Sequence, residues 1–294
     1  MKHKRVLLDL IIVALIGVLF VFALKDRDTL QRGDVIAIIY LNGTIGGTGQ
    51  NTFNADDISK VLNKVRAIKP KGVIVRISSP GGSAYESDKI YNLLLDFKLK
   101  EKIPLFVSMA DECASGGYYI SMAGDRIFAE PYTITGSIGV IITLVNYEEL
   151  LKKVGINVIT LKSGPYKDTG SPFREMGEYE KAMFQKIVDE FYSNFLHIVS
   201  KNRKNIDYDT LEHRIAQGQI YTGSEAVKLG LVDKIGDLNS VIEEMKNTLK
   251  LKSISIREFR IKKSLFETFL STAKEFFDIQ NEPSKILIEY RSKF

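Results

Sequence analysis

Two glycine-rich turns carry the serines that could do chemistry in this chain. They are Ser78-Ser79-Pro80-Gly81-Gly82-Ser83 and Cys113-Ala114-Ser115-Gly116-Gly117. Each turn follows an apolar β-branched run and precedes a helical pattern, so backbone N–H groups can closely approach a bound group there. We expect Ser115 at a helix N-terminus with its hydroxyl facing open space, where the N–H groups of Gly82 and Gly116 can stabilise a negative oxygen. The alternative is that such turns only redirect the chain.

A serine nucleophile needs a base, and histidine, the usual one, is scarce in this chain. The histidines are His3, His197 and His213, and none has catalytic-looking neighbours. Lys167, in a loop after a predicted strand, is therefore the candidate base. Because a lysine amine is almost entirely protonated at neutral pH, it must be desolvated, for example in a buried apolar cleft, to accept a proton.

Two other side chains compete for the role of nucleophile. Ser137 lies in a Gly-Ser-Ile-Gly turn, but an apolar β-branched run follows it instead of a small-residue helix start. Cys113, the single cysteine, would need an activating histidine or cation, and a lone cysteine is more often a small buried residue. One cysteine also excludes an intrachain disulfide and a cysteine-cluster metal site.

The elements that must position these residues alternate between short apolar runs and longer helical patterns. This alternation predicts an α/β fold with a mostly parallel sheet covered on both faces. The predicted strands are residues 35–40, 72–77, 104–109 and 156–161, and the predicted helices are 55–68, 85–99, 147–154 and 179–201. Residues 251–261 are also strand-like. Residues 264–277 place an apolar stripe on one helical face, which would pack on the chain's own core, on another subunit or on a membrane surface.

The N-terminus has the pattern of a membrane anchor. Lys2, Lys4 and Arg5 precede residues 6–24, whose length as a helix is about 28 Å, close to the bilayer's hydrocarbon thickness of about 30 Å. The positive-inside rule then puts residues 1–5 in the cytoplasm and the rest of the chain outside it. A cleaved signal peptide and a buried N-terminal core helix are the alternatives.

Composition excludes several classes of protein. The chain has 294 residues, 45% of them apolar, with 22 glycines and 7 prolines, which is unlike disordered, collagen-like or disulfide-scaffold proteins. Its formal net charge is +5, of which residues 1–24 supply +2. The remaining +3 is too small to indicate binding to nucleic acid.

The motifs resemble those of the bacterial signal peptide peptidase A family, membrane-anchored serine proteases whose fold is related to Clp protease and crotonase. The resemblance runs from Val35 to about Gly236 and rests on Ser79-Pro80-Gly81-Gly82, Ala114-Ser115-Gly116-Gly117-Tyr118, Thr135-Gly136-Ser137-Ile138-Gly139-Val140, Gly164-Pro165-Tyr166-Lys167 and Tyr221-Thr222-Gly223-Ser224-Glu225-Ala226. It implies Ser115 as the nucleophile and Lys167 as the general base. It further implies Gly82 and Gly116 as oxyanion donors and Ser137 as the hydroxyl that holds the lysine. No metal or cofactor is implied.

Each motif occurs once, so the resemblance implies a single Ser/Lys peptidase domain at residues 34–250. The basic leader 1–5, the transmembrane anchor 6–24 and the linker 25–33 would precede it. Residues 251–294 form the predicted C-terminal strand and amphipathic helix, to which the resemblance assigns no role.

The implied function is the degradation of signal peptides that remain in the bacterial cytoplasmic membrane after preprotein processing. The chain would contact lipid through its anchor and act outside the cytoplasm. The resemblance to single-domain members implies a homo-oligomeric ring in which Ser115 of one chain uses Lys167 of its neighbour. The residues themselves also allow the loop of Lys167 to fold back on its own domain. A crotonase-like acyl-CoA hydratase or thioesterase and a non-catalytic membrane scaffold are the alternatives. The anchor argues against the first, and the presence of both Ser115 and Lys167 argues against the second.

Overall fold

A mostly parallel sheet organises the part of the chain that the computed structural model describes, which is residues 33–47, 49–261 and 289–291. The elements in chain order are β1 (Asp34–Asn42), β2 (Thr44–Ile45), β3 (Thr52–Phe53), α1 (Ala55–Ala67), β4 (Gly72–Ser79), β5 (Gly81–Ser83), α2 (Ala84–Glu101), β6 (Leu105–Ala114), α3 (Gly116–Ser121), β7 (Arg126–Ala129), β8 (Ile134–Gly136), α4 (Glu148–Lys153), α5 (Glu178–Asn202), α6 (Tyr208–Thr210), a π-helical turn (Leu211–Ile215), β9 (Ile220–Thr222), α7 (Gly223–Lys228), β10 (Lys234–Ile235), α8 (Leu238–Thr248), β11 (Ile254–Arg260) and β12 (Glu289–Arg291).

The large sheet has the order β10-β7-β6-β4-β1-β11, and every neighbouring pair along it is parallel. The end of β6 also pairs with β8, which is antiparallel to β9. A second, small sheet has the order β12-β5-β2-β3. In it β5 lies between β2, which is parallel to it, and β12, which is antiparallel to it.

Helices cover both faces of the large sheet, as the sequence predicts. Successive side chains of a strand point to opposite faces, so the apolar run of β1 supplies both. Ile36 and Ile38 pack in a cluster that includes Met245 of α8. Ile39 packs on the other face in a larger cluster with residues of α1, α2, α3 and α5. The predicted α/β fold with a mostly parallel sheet is therefore confirmed.

The predicted helices 55–68, 85–99, 147–154 and 179–201 and most of the predicted strands are confirmed, but one strand is wrong. Residues 156–161 form no strand and have no partner strand within the described ranges. Leu161 in this segment is 94% exposed. Apolar alternation makes a strand only where a neighbouring strand can accept its backbone hydrogen bonds, and the described part of the chain offers none at that place.

The sheet continues past residue 250, where the sequence predicts the end of the peptidase domain. β11 confirms the strand-like reading of residues 251–261 and pairs with β1 over seven residues, from Asp34↔Ile254 to Tyr40↔Arg260. The predicted leader, anchor and helix 264–277 lie outside the described residues. Among the helices that the structure describes, none is long and apolar enough to cross a membrane.

Shortening the chain tests whether β11 belongs to the domain. A chain that ends at residue 262 should unfold cooperatively with a Tm close to that of the full chain. A chain that ends at residue 250 should aggregate or lose cooperative unfolding, because β1 would become a long apolar edge strand. Thermal unfolding and light scattering measure both effects. Equal Tm values for the two shortened chains would show that β11 is dispensable.

Candidate active site

Ser115 lies where β6 ends and α3 begins, at the C-terminal edge of the parallel strands. Its φ of 54° and ψ of −115° are rare for a residue with a side chain, and such strain costs about 1–3 kcal/mol. Two backbone hydrogen bonds hold this conformation. The N–H of Ser115 donates to the carbonyl of Gly136 at 2.8 Å, and the N–H of Tyr119 donates to the carbonyl of Ser115 at 2.9 Å. The predicted position at a helix N-terminus is confirmed.

The surroundings of Ser115 are more enclosed than the sequence predicts. Ser115 is 1% exposed, so its hydroxyl does not face open space. The reason is the small sheet. A Cβ on Gly116 would lie 3.4 Å from Cα of Gly81 in β5, and β12 also packs close to α3. In such a site hydrogen bonds and charges act with less screening by water than at a surface.

The two glycines predicted as oxyanion donors lie on the two sides of this enclosure. Gly82 is the register partner of Ile45 in β2, and its φ of 150° is within the range that favours glycine. A Cβ at Gly82 would lie 2.1 Å from the carbonyl oxygen of Ile45, so no other residue fits there without movement of the backbone. The fold thus brings Gly82 and Gly116 to the same junction as Ser115.

Hydrogen bonds and aromatic packing that the sequence does not predict hold helix α3 in place. The hydroxyl of Tyr119 donates to Asp88 Oδ1 at 2.7 Å and accepts from Asn194 Nδ2 at 3.1 Å. The ring of Tyr119 also packs edge-on against Phe195, with 5.0 Å between centroids. The hydroxyl of Tyr118 donates to the carbonyl of Leu231 at 2.9 Å. The two tyrosines directly after Gly116-Gly117 are the feature of the sequence that could have indicated these contacts.

Ser137 and Cys113, the competing nucleophiles, lie close to Ser115 in the fold. Ser137 follows Gly136, whose carbonyl binds the N–H of Ser115, and is 8% exposed. Cys113 is fully buried, which raises the pKa of its thiol to about 12 and keeps it protonated at neutral pH. Cys113 is therefore the small buried residue that its sequence context indicates. No group of three or more His, Cys, Asp or Glu among the described residues is arranged to hold a metal ion.

No hydrogen bond joins Lys167, the predicted base, to Ser115 within the described residues. Lys167 lies on an irregular loop and is exposed, and its side chain forms no hydrogen bond or ion pair with the described residues. Its loop is held instead at the start of α5, where the rings of Tyr166 and Tyr179 pack with 4.9 Å between centroids. The described residues of one chain thus do not form the predicted buried cleft around Lys167.

Lys167 belongs to a segment, residues 141–177, that we call the arm. Within the arm only α4 is regular secondary structure, and many large apolar side chains are exposed. They are Ile141, Val145, Tyr147, Leu150, Val154, Ile156, Val158, Ile159, Leu161 and Tyr166. A run of exposed apolar side chains of this extent is typical of an interaction surface.

Comparison with known proteins shows that the sequence of this chain is similar to those of peptidases. Residues 98–252 match Peptidase family S49. The chain is 37% identical over 244 residues to an Enterococcus faecium protein named as a signal peptide peptidase, SppA, with 80% of this chain and 70% of that protein covered. It is 35% identical over 271 residues to a Methanocaldococcus jannaschii protein named as a protease, with coverages of 88% and 86%. Its fold is similar to that of a variant of the 1510-N membrane-bound stomatin-specific protease in complex with a substrate peptide. The TM-score is 0.51 at 15% identity, with 83% of this chain and 99% of that chain covered.

Two substitutions of Ser115 separate its chemistry from its strain. Ser115→Ala should remove peptide hydrolysis and leave Tm nearly unchanged, because the hydroxyl is lost and the strained backbone is kept. Ser115→Gly should be equally inactive but raise the free energy of unfolding by about 1 kcal/mol, since glycine adopts positive φ without strain. Peptide hydrolysis and thermal unfolding measure both variants. Turnover by Ser115→Ala at the rate of the unmodified chain would exclude Ser115 as the nucleophile.

Proposed function

The chain belongs to peptidase family S49 and is a serine endopeptidase, and from this premise we propose that Ser115 is its nucleophile and Lys167 its general base. The observation that carries the proposal is the strained, buried Ser115 between α3 and the glycines of β5. Family membership decides against the acyl-CoA hydratase or thioesterase and against the non-catalytic scaffold. The direct experiment is to trap the nucleophile with a serine-directed phosphonate and to map the labelled residue by mass spectrometry. A label on any serine other than Ser115 would overturn the assignment.

The proposed reaction follows the usual course of acyl transfer. Ser115 Oγ attacks the peptide carbonyl while its proton passes to the Nζ of Lys167. The N–H groups of Gly82 and Gly116 stabilise the resulting oxyanion, and the amine of Lys167 then gives the proton to the leaving amine. Water hydrolyses the acyl-enzyme by the reverse sequence, so no cofactor is needed. Ser137, adjacent to the carbonyl that binds Ser115, is proposed to orient the amine of Lys167.

The peptide is proposed to bind as an extended strand along β5. The support is β12, which lies antiparallel on β5 with Tyr290 opposite Gly82. Pairing of a peptide backbone with a sheet edge is a common mode of recognition and needs no particular side chain. A substrate bound in this way would run past Ser115 with its carbonyls close to Gly82. In the described chain β12 occupies the edge of β5, so the C-terminal segment would compete with a substrate for this edge.

The dyad is proposed to form between two chains. Phe195, in the second half of α5, packs on Tyr119 of α3, while the loop of Lys167 is held beside Tyr179 at the start of the same helix. From Tyr179 to Phe195 is sixteen residues, or roughly 24 Å of helix at 1.5 Å per residue. The exposed apolar arm would then pack on a second copy of the chain and bring Lys167 to that copy's Ser115. Head-to-tail contacts of this kind close into a homo-oligomeric ring.

The membrane and the substrate are further parts of the proposal. Residues 6–24 would anchor the chain in the bacterial cytoplasmic membrane, with the basic leader 1–5 in the cytoplasm and the linker 25–33 leading to a peptidase domain outside it. The domain begins near residue 34 and includes β11. Signal peptides left in the membrane are the proposed substrates, supported by the name of the Enterococcus faecium relative.

Removing the C-terminal strand tests the proposed peptide site. A chain without residues 289–294 should have a KM for an extended peptide that is several-fold lower, with kcat unchanged, because the edge of β5 is no longer occupied. Tyr290→Pro in the full-length chain is the matched variant, since proline is poorly tolerated within a paired strand. It should lower KM in the same direction. An unchanged or higher KM in both variants would contradict the proposed binding edge.

Complementation tests whether the dyad is shared. Ser115→Ala and Lys167→Ala chains should each be inactive. In a coexpressed, random equal mixture about one site in four would join an intact serine to an intact lysine if the ring closes head to tail. Recovery of about a quarter of the normal activity is the expected result. Mixing Ser115→Ala with the Ser115→Ala, Lys167→Ala double variant is the control and should recover nothing. Mixed assemblies that form but remain inactive would show that each site is built within one chain.

A further inference from the structure

A connected group of four charged side chains lies directly beside Lys167, and we call it the clamp. Its members are Lys162, Asp168, Arg174 and Glu180. Arg174 donates two hydrogen bonds to the carboxylate of Asp168, from Nε to Oδ2 at 2.9 Å and from Nη2 to Oδ1 at 2.8 Å. The same guanidinium donates from Nη1 to Glu180 Oε2 at 2.8 Å and from Nη2 to Glu180 Oε1 at 2.5 Å. Lys162 adds a donor to Asp168 Oδ1 at 2.6 Å.

The clamp also binds backbone groups at both of its ends. Arg174 Nη2 donates to the carbonyl of Asp168 at 3.2 Å, and Nη1 donates to the carbonyl of Glu175 at 3.0 Å. Glu180 Oε2 accepts the N–H of Gly177 at 3.0 Å, where α5 begins. Arg174 therefore ties one point of the loop, Asp168, to the first turn of α5. A planar guanidinium can grip two carboxylates at once, whereas a lysine ammonium cannot reproduce this geometry.

Burial and charge distinguish the clamp from an ordinary surface ion pair. The side chains of Glu180 and Asp168 are only 6% and 12% exposed. Hydrogen bonds from Arg174, and then from Lys162, hold the pKa of Asp168 well below its usual range, and Arg174 lowers the pKa of Glu180 to about 2. Because both carboxyl pKa values are depressed, their contribution to stability is present above about pH 4 and is lost only in strong acid. Asp168, Glu180 and Arg174 thus stay charged throughout the pH range in which a lysine base operates.

The loop around Lys167 depends on such contacts because it has no regular structure. Residues 162–171 form neither helix nor strand, and Gly170 has a φ of 81°. Lys167 directly precedes Asp168, and its N–H closes a turn to the carbonyl of Gly164 at 3.2 Å. Fixing Asp168 therefore fixes the backbone from which the side chain of Lys167 extends. A misplacement of about 1 Å in a catalytic group can cost about a hundredfold in rate.

From this arrangement we propose that Arg174 is a positioning residue, which sets the place and direction of Lys167 by joining Asp168 to Glu180. The proposal rests on the proposed role of Lys167 as the general base. Within the described residues the side chain of Arg174 bonds only to Asp168, Glu175 and Glu180, so it would act on Lys167 through the loop. Its effect is therefore on the proton-transfer step and not on the binding of the peptide along β5.

The test compares Arg174→Met and Arg174→Lys with a matched control. Both variants should lower kcat on an extended peptide by about 10- to 100-fold and leave KM within about twofold. Arg174→Lys should fail to rescue kcat, although it keeps the charge, because it cannot grip both carboxylates. Lys181→Met is the control. It removes an exposed ion pair to Glu178 at the start of the same helix and should change neither constant.

Two further variants separate the possible causes of failure. Glu180→Gln keeps the shape of the side chain and one acceptor, so it should stay folded and lower kcat by an intermediate factor, even if an Arg174 variant unfolds. A lower Tm with normal kcat per folded molecule, or rescue by Arg174→Lys, would reduce Arg174 to a structural role and overturn the proposal. Lys167→Ala tests whether Lys167 is the general base. If this variant stays active, the proposed dyad is wrong. If it is inactive while the Arg174 variants keep a normal kcat, only the positioning role of Arg174 is wrong.

Discussion

The hydrogen bond from the N–H of Ser115 to the carbonyl of Gly136, at 2.8 Å, joins the end of β6 to the end of β8 at the point where the chain turns into α3. It holds Ser115 at a φ that costs about 1–3 kcal/mol, so the surroundings must over-determine this conformation. They do so through a sheet whose strands are buried on both faces and through the polar and aromatic contacts of Tyr119. The stability of the sheet is thus what keeps Ser115 in place.

Helix α5 links this rigid part to the arm. Its second half packs on α3 through Phe195, and its first turn holds the clamp through Glu180. A regular helix has a fixed rise per residue, so α5 sets the position of the loop of Lys167 relative to α3 and the sheet on which α3 packs. The proposed nucleophile is therefore positioned by the backbone at a buried strand end, and the proposed base lies on a loop joined by ion pairs to the start of a helix. The two groups are positioned by different physical means in different parts of the chain.

Buried elements could be predicted from the sequence, and contacts of the arm could not. β1, β4 and β6 are continuous apolar runs because both of their faces are covered, and Ser115 follows such a run with small residues around it. Residues 156–161 show the same apolar character, yet within the described chain they are exposed, because the pattern does not say what will cover it. The sequence also gives no pattern that indicates the clamp, because Asp168, Arg174 and Glu180 look like ordinary surface charges in it. Only their hydrogen bonds in the folded chain distinguish them.

A dyad formed between two chains explains why Lys167 is exposed in a single chain. A lysine buried without a partner in the folded monomer would destabilise it, because removing an ammonium group from water is costly. An exposed lysine avoids this cost, but it lacks the desolvation that the proposed role as a base requires. Desolvation at a contact with a second copy of the chain reconciles the two requirements, since the apolar side chains of the arm would exclude water only on assembly. Proteolytic activity would then be confined to the assembled enzyme, and an isolated chain would carry a nucleophile without its base.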